Sequence, residues 1–146
     1  MTAIATALKW IELASTSLFA LWALYVSLIE HPARMSAGPA VALAEWRPSY
    51  ARAAPWQASA AGISFVSGGF ASLLSREWQW MAGGLLVALA IPFTLVVIMP
   101  TNRRLHDPTV SPEEAQSLLA HWGALHWVRS VLGVFGLLVL VIRAHA

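Results

Sequence analysis

The chain has no cysteine and few charged residues. Only 11% of its 146 residues are Asp, Glu, Lys or Arg, whereas a soluble domain carries about 25%. The absence of cysteine excludes disulfides, thiolate nucleophiles and cysteine metal sites. The nine Lys and Arg residues form no run and the net charge is only +2, so we expect no nucleic-acid partner.

Long apolar stretches take up most of the chain. Hydrophobic residues make up 58% of the sequence and are concentrated in four stretches of about 20 residues, the length that an α-helix needs to cross a ~30 Å hydrocarbon core. We therefore predict an all-α fold, a four-transmembrane-helix bundle with up-down topology. Residues 1–146 are expected to form a single membrane domain with helices at about 10–30, 56–75, 79–99 and 121–143.

The connection between the first two predicted helices is long and half apolar. Residues 35–55 contain Val41, Leu43, Trp46 and Tyr50 as well as several prolines. A freely solvated linker would be more polar. We therefore predict an interfacial segment that lies on the membrane surface or caps the bundle.

Prolines and a serine indicate where the helices bend or begin. Pro32 predicts that the first helix stops or kinks near His31. Pro92 predicts a kink in the third helix. Ser111 and Glu114 have the spacing of a capping box, which predicts that the last helix begins at this point, ahead of its apolar part.

Alternating crossings place most of the polar residues at one end of the bundle. The end of the first helix, the start of the second, the end of the third and the start of the fourth share one membrane face. That face carries Glu30, His31, Arg34, Trp46, Tyr50, Arg52, Trp56, Gln57, Thr101, Asn102, Arg103, His121, His126 and Arg129. Arginine is commoner there than at the other face, which favours a cytoplasmic orientation, and we expect a bacterial cytoplasmic membrane.

His126 and Arg129 are functional candidates on their position alone. They lie three residues apart, on one face of the fourth helix and inside its apolar part. Because a buried arginine without a partner is unfavourable, we expect Arg129 to pair with Glu30, the acid at the same depth. The alternatives are that Arg129 reaches the interface, that His126 caps a carbonyl group, and that Glu30 merely ends the first helix.

Several neighbours allow both a functional and a structural interpretation. Tyr50 and Trp46 could close over the site or anchor the chain at the membrane interface. Thr101 and Asn102 could act on a substrate or satisfy the carbonyl groups that Pro100 frees.

Four short motifs occur in order along the chain. They are Glu30-His31-Pro32-Ala33-Arg34; Pro48-Ser49-Tyr50; Pro92-x-Thr94 with Met99-Pro100-Thr101-Asn102-x-x-Leu105; and Trp122-x-x-x-His126-x-x-Arg129. In the order and spacing of these motifs, from about Leu8 to Ile142, the chain resembles the anthrone-oxygenase-like family of small four-helix integral membrane proteins, formerly a domain-of-unknown-function family.

This resemblance implies a reaction and a set of residues. Characterised relatives oxidise anthrones, which are tricyclic phenolic ketones, to anthraquinones with molecular oxygen, in polyketide pathways and without an organic cofactor. The motif positions that would carry function are Glu30, His31, Arg34, Tyr50, Asn102, His126 and Arg129.

We therefore expect a membrane oxygenase that acts on a flat phenolic or quinol-type aromatic and begins by removing a proton. His126 is the expected base, and Arg129 and Asn102 would stabilise the resulting oxygen anion. Glu30 would orient His126 or pair with Arg129. The expected substrate-binding residues are His31, Arg34, Trp46, Tyr50, Thr101 and Trp122.

Cofactors and partners follow from the same interpretation. We expect no cofactor, with molecular oxygen as co-substrate; the alternative is a metal or haem site at His31, His126 and Glu30, although no HxxxH or HExxH motif is present. The expected partners are membrane lipid, a small hydrophobic aromatic substrate and a second copy bound through small-residue helix faces. A different class stays open, namely a non-catalytic membrane subunit or small transporter that binds a quinone, lipid or metabolite at the same residues.

Overall fold

Four long helices make up the bundle. A computed structural model describes residues 2–145, with α1 at Ala3–Ser36, α2 at Pro39–Ser75, α3 at Trp78–His106 and α4 at Pro112–His145. Each is long and apolar enough to cross a membrane, and the described residues contain no strand. The prediction of an all-α, four-transmembrane-helix bundle is confirmed.

The helices pack in chain order as an antiparallel ring. Each helix contacts the next one in the chain, and α4 closes the ring against α1. The first two turns are short and each uses a residue with positive φ, Gly38 at 87° and Arg76 at 60°. Such short turns leave consecutive helices no choice but to run in opposite directions, so the same ends of the helices meet as the sequence predicts.

α1 is deformed ahead of Pro32 but does not stop there. Residues Val26–Glu30 form a π-helical turn, and a regular helix continues over His31–Ser36. Proline has no N–H group to donate to the carbonyl four residues earlier, and a wider turn accommodates this loss. The predicted irregularity near His31 is therefore a wide turn, and the helix extends to Ser36.

α3 shows the same response to its two prolines. The helix is interrupted at Leu89, three residues before Pro92, and a second π-helical turn at Thr94–Ile98 precedes Pro100. The disturbance predicted at Pro92 is present as this interruption at Leu89. Both deformed helices thus change the direction of their side chains just before they enter the polar end of the bundle.

The segment predicted as a separate interfacial connection is the N-terminal part of α2. Helix α2 begins at Pro39, where a missing N–H is harmless, and continues through Pro48 and Pro55. In this part of α2, Trp46 is fully buried and stacks on Tyr50, with ring centroids 5.0 Å apart. These residues therefore belong to the core at the polar end.

Hydrogen bonds from arginine side chains link the helices at the polar end. Arg47 donates from Nε to the carbonyl of Leu105 and from Nη2 to that of Asp107, both at 2.9 Å, which caps the C-terminal end of α3. The amide of Glu114 donates to Ser111 Oγ at 3.2 Å, so the predicted N-cap of α4 is confirmed. The Glu114 carboxylate binds Arg104 at 2.6 and 2.8 Å and does not close the capping box.

The opposite end is held by a group that we call the turn cluster, formed by Lys9, Glu77, Trp80 and Arg143. The Glu77 carboxylate accepts hydrogen bonds from Lys9 and Arg143 and from Trp80 Nε1, the last at 2.8 Å. Glu77 thereby joins α1, α3 and α4. Donation from Lys9, followed by that from Trp80 and Arg143, lowers the pKa of the Glu77 carboxyl to about 2.

Small residues are used for packing inside the bundle. A Cβ atom at Gly83 would lie 2.4 Å from Leu140, and one at Gly68 would lie 2.5 Å from the carboxylate of Glu12. Glu12 is itself fully buried, and its oxygens have no partner within residues 2–145. Glycines of α2 and α3 therefore serve contacts within one copy, and a homo-oligomer formed through small-residue faces stays a prediction.

Candidate functional site

The polar end of the bundle encloses a small space that we call the polar void, with a volume of about 20 Å³. Side chains from α1, α2 and α4 line it, and seven of them were predicted from the sequence. Its lining is Val26, Glu30, Arg34, Trp46, Ser49, Tyr50, Ala53, Ala54, Gln57, Trp122, His126 and Arg129. The alternating direction of the helices does bring these residues together.

Two serines hold the ring of His126. Ser27 Oγ lies 3.0 Å from His126 Nδ1 and 2.8 Å from Ser130 Oγ, and Ser130 Oγ donates to the Ala23 carbonyl at 2.9 Å. All of these groups are buried. The chain of hydrogen bonds therefore runs from α4 to α1 and back to α4.

The donors and acceptors in this chain of hydrogen bonds determine the tautomer of His126. The single hydroxyl hydrogen of Ser130 goes to the Ala23 carbonyl, so Ser27 must donate to Ser130. Ser27 then has only lone pairs left, and it accepts from Nδ1–H of His126. The other ring nitrogen, Nε2, carries the lone pair and has no hydrogen-bond partner within residues 2–145.

Arg129 has an amide partner. Its Nη2 donates to Gln57 Oε1 at 2.5 Å, and its guanidinium lies 5.8 Å from the ring centre of Phe19. Among the described ion pairs, none includes Arg129. The expected pair of Arg129 with Glu30 is therefore wrong.

Glu30 binds other residues of its own end. It accepts from Arg34, one turn further along α1, and from Ser49 at 2.7 Å, while Arg34 also binds Glu45. Because the helix continues past Pro32, residues 30 and 34 stand one turn apart, and their ion pair forms locally. Glu30 consequently orients neither His126 nor Arg129, as was expected of it.

Asn102 lies behind Tyr50. Its Nδ2 donates to the Tyr50 hydroxyl at 2.7 Å, and its buried Oδ1 has no partner within residues 2–145. Neither Asn102 nor Thr101, which is also buried, lines the polar void. The contact gives Asn102 a position from which it orients Tyr50.

His31 packs against the start of α4. Its ring lies 5.2 Å from that of Trp122, and its Nδ1 lies 3.4 Å from Arg34. This close approach requires glycine at position 123, because a Cβ atom there would lie 2.4 Å from His31 Nε2. Within residues 2–145, no three His, Asp or Glu side chains form a group that could hold a metal ion, and the alternative site at His31, His126 and Glu30 is not formed.

A larger space, which we call the cleft, adjoins the polar void. It has a volume of about 450 Å³ and apolar walls contributed mainly by α2 and α3. Tyr50, Ala54, Gln57 and Arg129 line both spaces. The remaining lining of the cleft is Phe19, Ala51, Pro55, Ala58, Ala90, Ile91, Thr94, Leu95, Met99 and His106.

Three residues of this site were missing from the sequence-based candidates. Gln57 was placed at the correct end but given no role, although it is the partner of Arg129. Ser27 and Ser130 were not singled out as site residues, although they orient His126. A signal was present for Ser27, which stands four residues before His31 and seven before Arg34, on the same helical face.

Four antiparallel helices, each apolar and long enough to cross a membrane, with a buried histidine and arginine at one end, are the architecture of a small helical membrane protein with a buried polar site. The family model described as anthrone oxygenase matches residues 46–139, more than half of the chain, and the chain therefore belongs to the anthrone oxygenase family. The matched range includes Trp46, Tyr50, Asn102, His126 and Arg129.

One relative is the anthrone oxygenase AgnL2 of Paecilomyces divaricatus. It is 38% identical over 66 residues, which cover 38% of this chain and 40% of the relative, so the match spans less than half of the relative's length. This relative is fungal and gives no support to the expected bacterial membrane. No solved structure matches the chain.

Proposed function

We propose that this protein is an integral-membrane oxygenase that oxidises a flat phenolic aromatic of the anthrone class with molecular oxygen. Membership of the family and the name of the relative support the reaction class. The observation that carries the proposal is the position of Arg129, which lines the polar void beside His126 and also lines the apolar cleft.

The cleft suits a planar, mostly apolar ligand. Its volume of about 450 Å³ lies within the range of about 300–1,000 Å³ that is usual for small-molecule sites. Apolar side chains form most of its wall, and polar groups are confined to a few positions, among them Tyr50, Gln57 and Arg129. Such a site favours a tricyclic aromatic with an oxygen atom at one edge.

His126 acts as the general base. Its Nδ1–H is held by Ser27, so Nε2 carries the lone pair that takes a proton. The proton comes from the CH₂ carbon opposite the ketone of the anthrone. The negative charge that remains is delocalised onto the ketone oxygen, where the guanidinium of Arg129 stabilises it in a site shielded from water.

The oxidation then balances with oxygen alone. The carbanion forms a C–O bond with O₂, and the proton taken by His126 goes to the terminal peroxide oxygen. Cleavage of the O–O bond with loss of the second hydrogen from the same carbon gives the new carbonyl group and water. One anthrone and one O₂ yield one anthraquinone and one water, and this scheme uses no metal or organic cofactor.

The test is anthrone oxidation by purified protein in detergent, followed by oxygen uptake and anthraquinone absorbance. His126→Ala should lower the rate about 100-fold or more without changing the melting temperature. His121→Ala, at an exposed position on the same helix, is the matched control and should retain full activity.

Two results would contradict the proposal. Full activity of His126→Ala would remove the assignment of the base. If the wild-type protein binds the aromatic but does not oxidise it, the non-catalytic binding protein replaces the oxygenase.

A further inference from the structure

Buried hydrogen-bond donors without partners are concentrated around the polar void. Within residues 2–145, Nε1 of Trp46, Nε1 of Trp122 and Nε of Arg129 are buried and have no acceptor. All three side chains line the void. A buried donor left unpaired costs about 1–3 kcal/mol, so three of them around one space indicate an occupant that is rich in lone pairs.

The size of the polar void limits what that occupant can be. Its volume is about 20 Å³, and a space of about 10–15 Å³ is enough for a single water-sized group. The void shares Tyr50, Ala54, Gln57 and Arg129 with the cleft. An aromatic molecule in the cleft can therefore extend one oxygen substituent towards the void while its rings stay against apolar walls.

The charges around the void favour a negative oxygen. Arg129 is 6% exposed and contacts the neutral amide of Gln57, and no carboxylate of residues 2–145 forms an ion pair with it. Glu30 lines the same void, but Arg34 and Ser49 already bind its carboxylate. An incoming anion would supply the charge that Arg129 lacks.

We propose that Trp46 and Trp122 donate their indole N–H groups, together with Nε–H of Arg129, to one negatively charged oxygen of the aromatic substrate. That oxygen is a phenolate or enolate oxygen. The assignment rests on the proposed function for the substrate class, and it adds a role for the two tryptophans that their packing alone does not require. Donors placed in advance around a developing negative charge are the usual way in which a buried site stabilises an oxyanion.

The experiment removes the indole N–H and keeps the ring. Trp46 and Trp122 are each replaced by Phe and, in separate samples, by β-(3-benzothienyl)alanine, which retains the two-ring shape and carries sulfur in place of N–H. Trp127→Phe is the matched control, because Trp127 is 40% exposed on the same helix as Trp122. The probes are 2-hydroxyanthraquinone, whose absorption changes on ionisation, and anthraquinone, which has no ionisable group.

The expected result is a loss confined to the ionised probe. In wild-type protein, bound 2-hydroxyanthraquinone should ionise at a lower pH than the free compound. Each replacement at positions 46 and 122 should weaken binding of the ionised probe about tenfold and leave the affinity for anthraquinone unchanged, and Trp127→Phe should bind both probes as wild type does. Equal losses for both probes, or no loss for either, would overturn the proposal.

Turnover in the same preparations separates this proposal from the proposed function. Anthrone oxidation that does not depend on the indole N–H groups would reject the donor assignment and leave the oxygenase standing. Binding of the ionised probe that depends on them, without any oxidation, would support the donor assignment and reject the oxygenase. If a Phe variant does not fold, the benzothienylalanine variant decides, since it preserves the shape of the core.

Discussion

The turn cluster and the polar void, at opposite ends of the bundle, differ in how their central charged groups, Glu77 and Arg129, are paired. In the turn cluster, the carboxylate of Glu77 accepts hydrogen bonds from a lysine, a tryptophan and an arginine. The carboxylate and both cations therefore have an opposite charge beside them. Around the polar void, Arg129 has only an amide partner and two indole N–H groups have none. The contacts of Glu77 hold helices together, whereas the donors around the polar void are free to bind a ligand.

Space alone does not distinguish the two ends. A cavity of about 300 Å³ lies beside the turn cluster, lined by Lys9, Glu77, Trp80 and Arg143 among others. Those four side chains bond to one another, so a ligand would compete with contacts that already exist. Several unsatisfied buried donors around one space are therefore a better guide to the site than cavity volume is, or than a single unpartnered side chain such as Glu12.

Removing one charge from each end should give opposite results. Arg129→Gln should lower anthrone oxidation about 100-fold or more, since it removes the cation that faces the developing oxyanion. Glu77→Gln should keep activity within about twofold and lower the melting temperature. Activity and melting curves of both variants check this comparison, and an equal loss of activity in both would show that the two ends do not divide the roles in this way.

A substitution at Gly123 tests how tightly the polar end of the bundle is packed. Gly123→Ala would place a Cβ atom 2.4 Å from His31 Nε2, and overpacking of this kind costs about 1–3 kcal/mol. Denaturation in detergent should show this loss. Gly62→Ala is the control, because no atom lies within 4 Å of a Cβ atom at that position, and it should be neutral or slightly stabilising.

Substitutions at Ser27 and Ser130 test whether the hydrogen bonds that hold His126 contribute to catalysis. Ser27→Ala and Ser130→Ala should each lower kcat about tenfold. The first removes the acceptor that holds Nδ1–H of His126, and the second removes the acceptor of the Ser27 hydroxyl hydrogen, so that Ser27 becomes free to donate to Nδ1. The ¹⁵N shifts of the His126 ring should report Nδ1–H in wild-type protein and a mixture of tautomers in the variants. Ser117→Ala, at an exposed position of α4, should change neither value.

Acid should weaken the turn cluster. Because the Glu77 carboxyl has a pKa of about 2 when folded, against an ordinary value of 4.5, the unfolded chain takes up the proton first. Stability supplied by Glu77 is therefore present above about pH 4.5 and is lost as the pH falls to about 2. Melting temperatures across this range should fall more for wild type than for Glu77→Gln, whereas Glu113→Gln, which alters an exposed acid, should follow wild type.

The arrangement of the helices could be predicted because it depends on length and alternation. Four apolar stretches of spanning length that cross one after another bring the same ends together, and the residues around His126 and Arg129 do meet there. The N-cap at Ser111 was also visible, since a capping serine makes a local contact.

The hydrogen-bond partners within the site could not be predicted, because they depend on the orientation of each helix about its own axis. A π-helical turn at Val26–Glu30 changes the direction of every later side chain in α1, and the continuation of the helix past Pro32 gives Glu30 a local partner in Arg34. The start of α2 at Pro39 brings Trp46 into the core. Proline patterns indicate that a helix is disturbed, but not whether it ends or widens.

The cleft has a consequence for how any ligand is supplied. Exposed apolar residues of α2 and α3, among them Ala58 and Leu95, line the cleft, so it opens on an apolar side of the bundle, which in a membrane would face acyl chains. The proposed substrate, a planar and mostly apolar compound that dissolves in a bilayer, would then enter by lateral diffusion without crossing water. We therefore expect the mole fraction of the compound in the membrane, and not its bulk concentration, to set the rate, and we expect empty lipid added at a constant total amount of compound to slow the reaction by dilution.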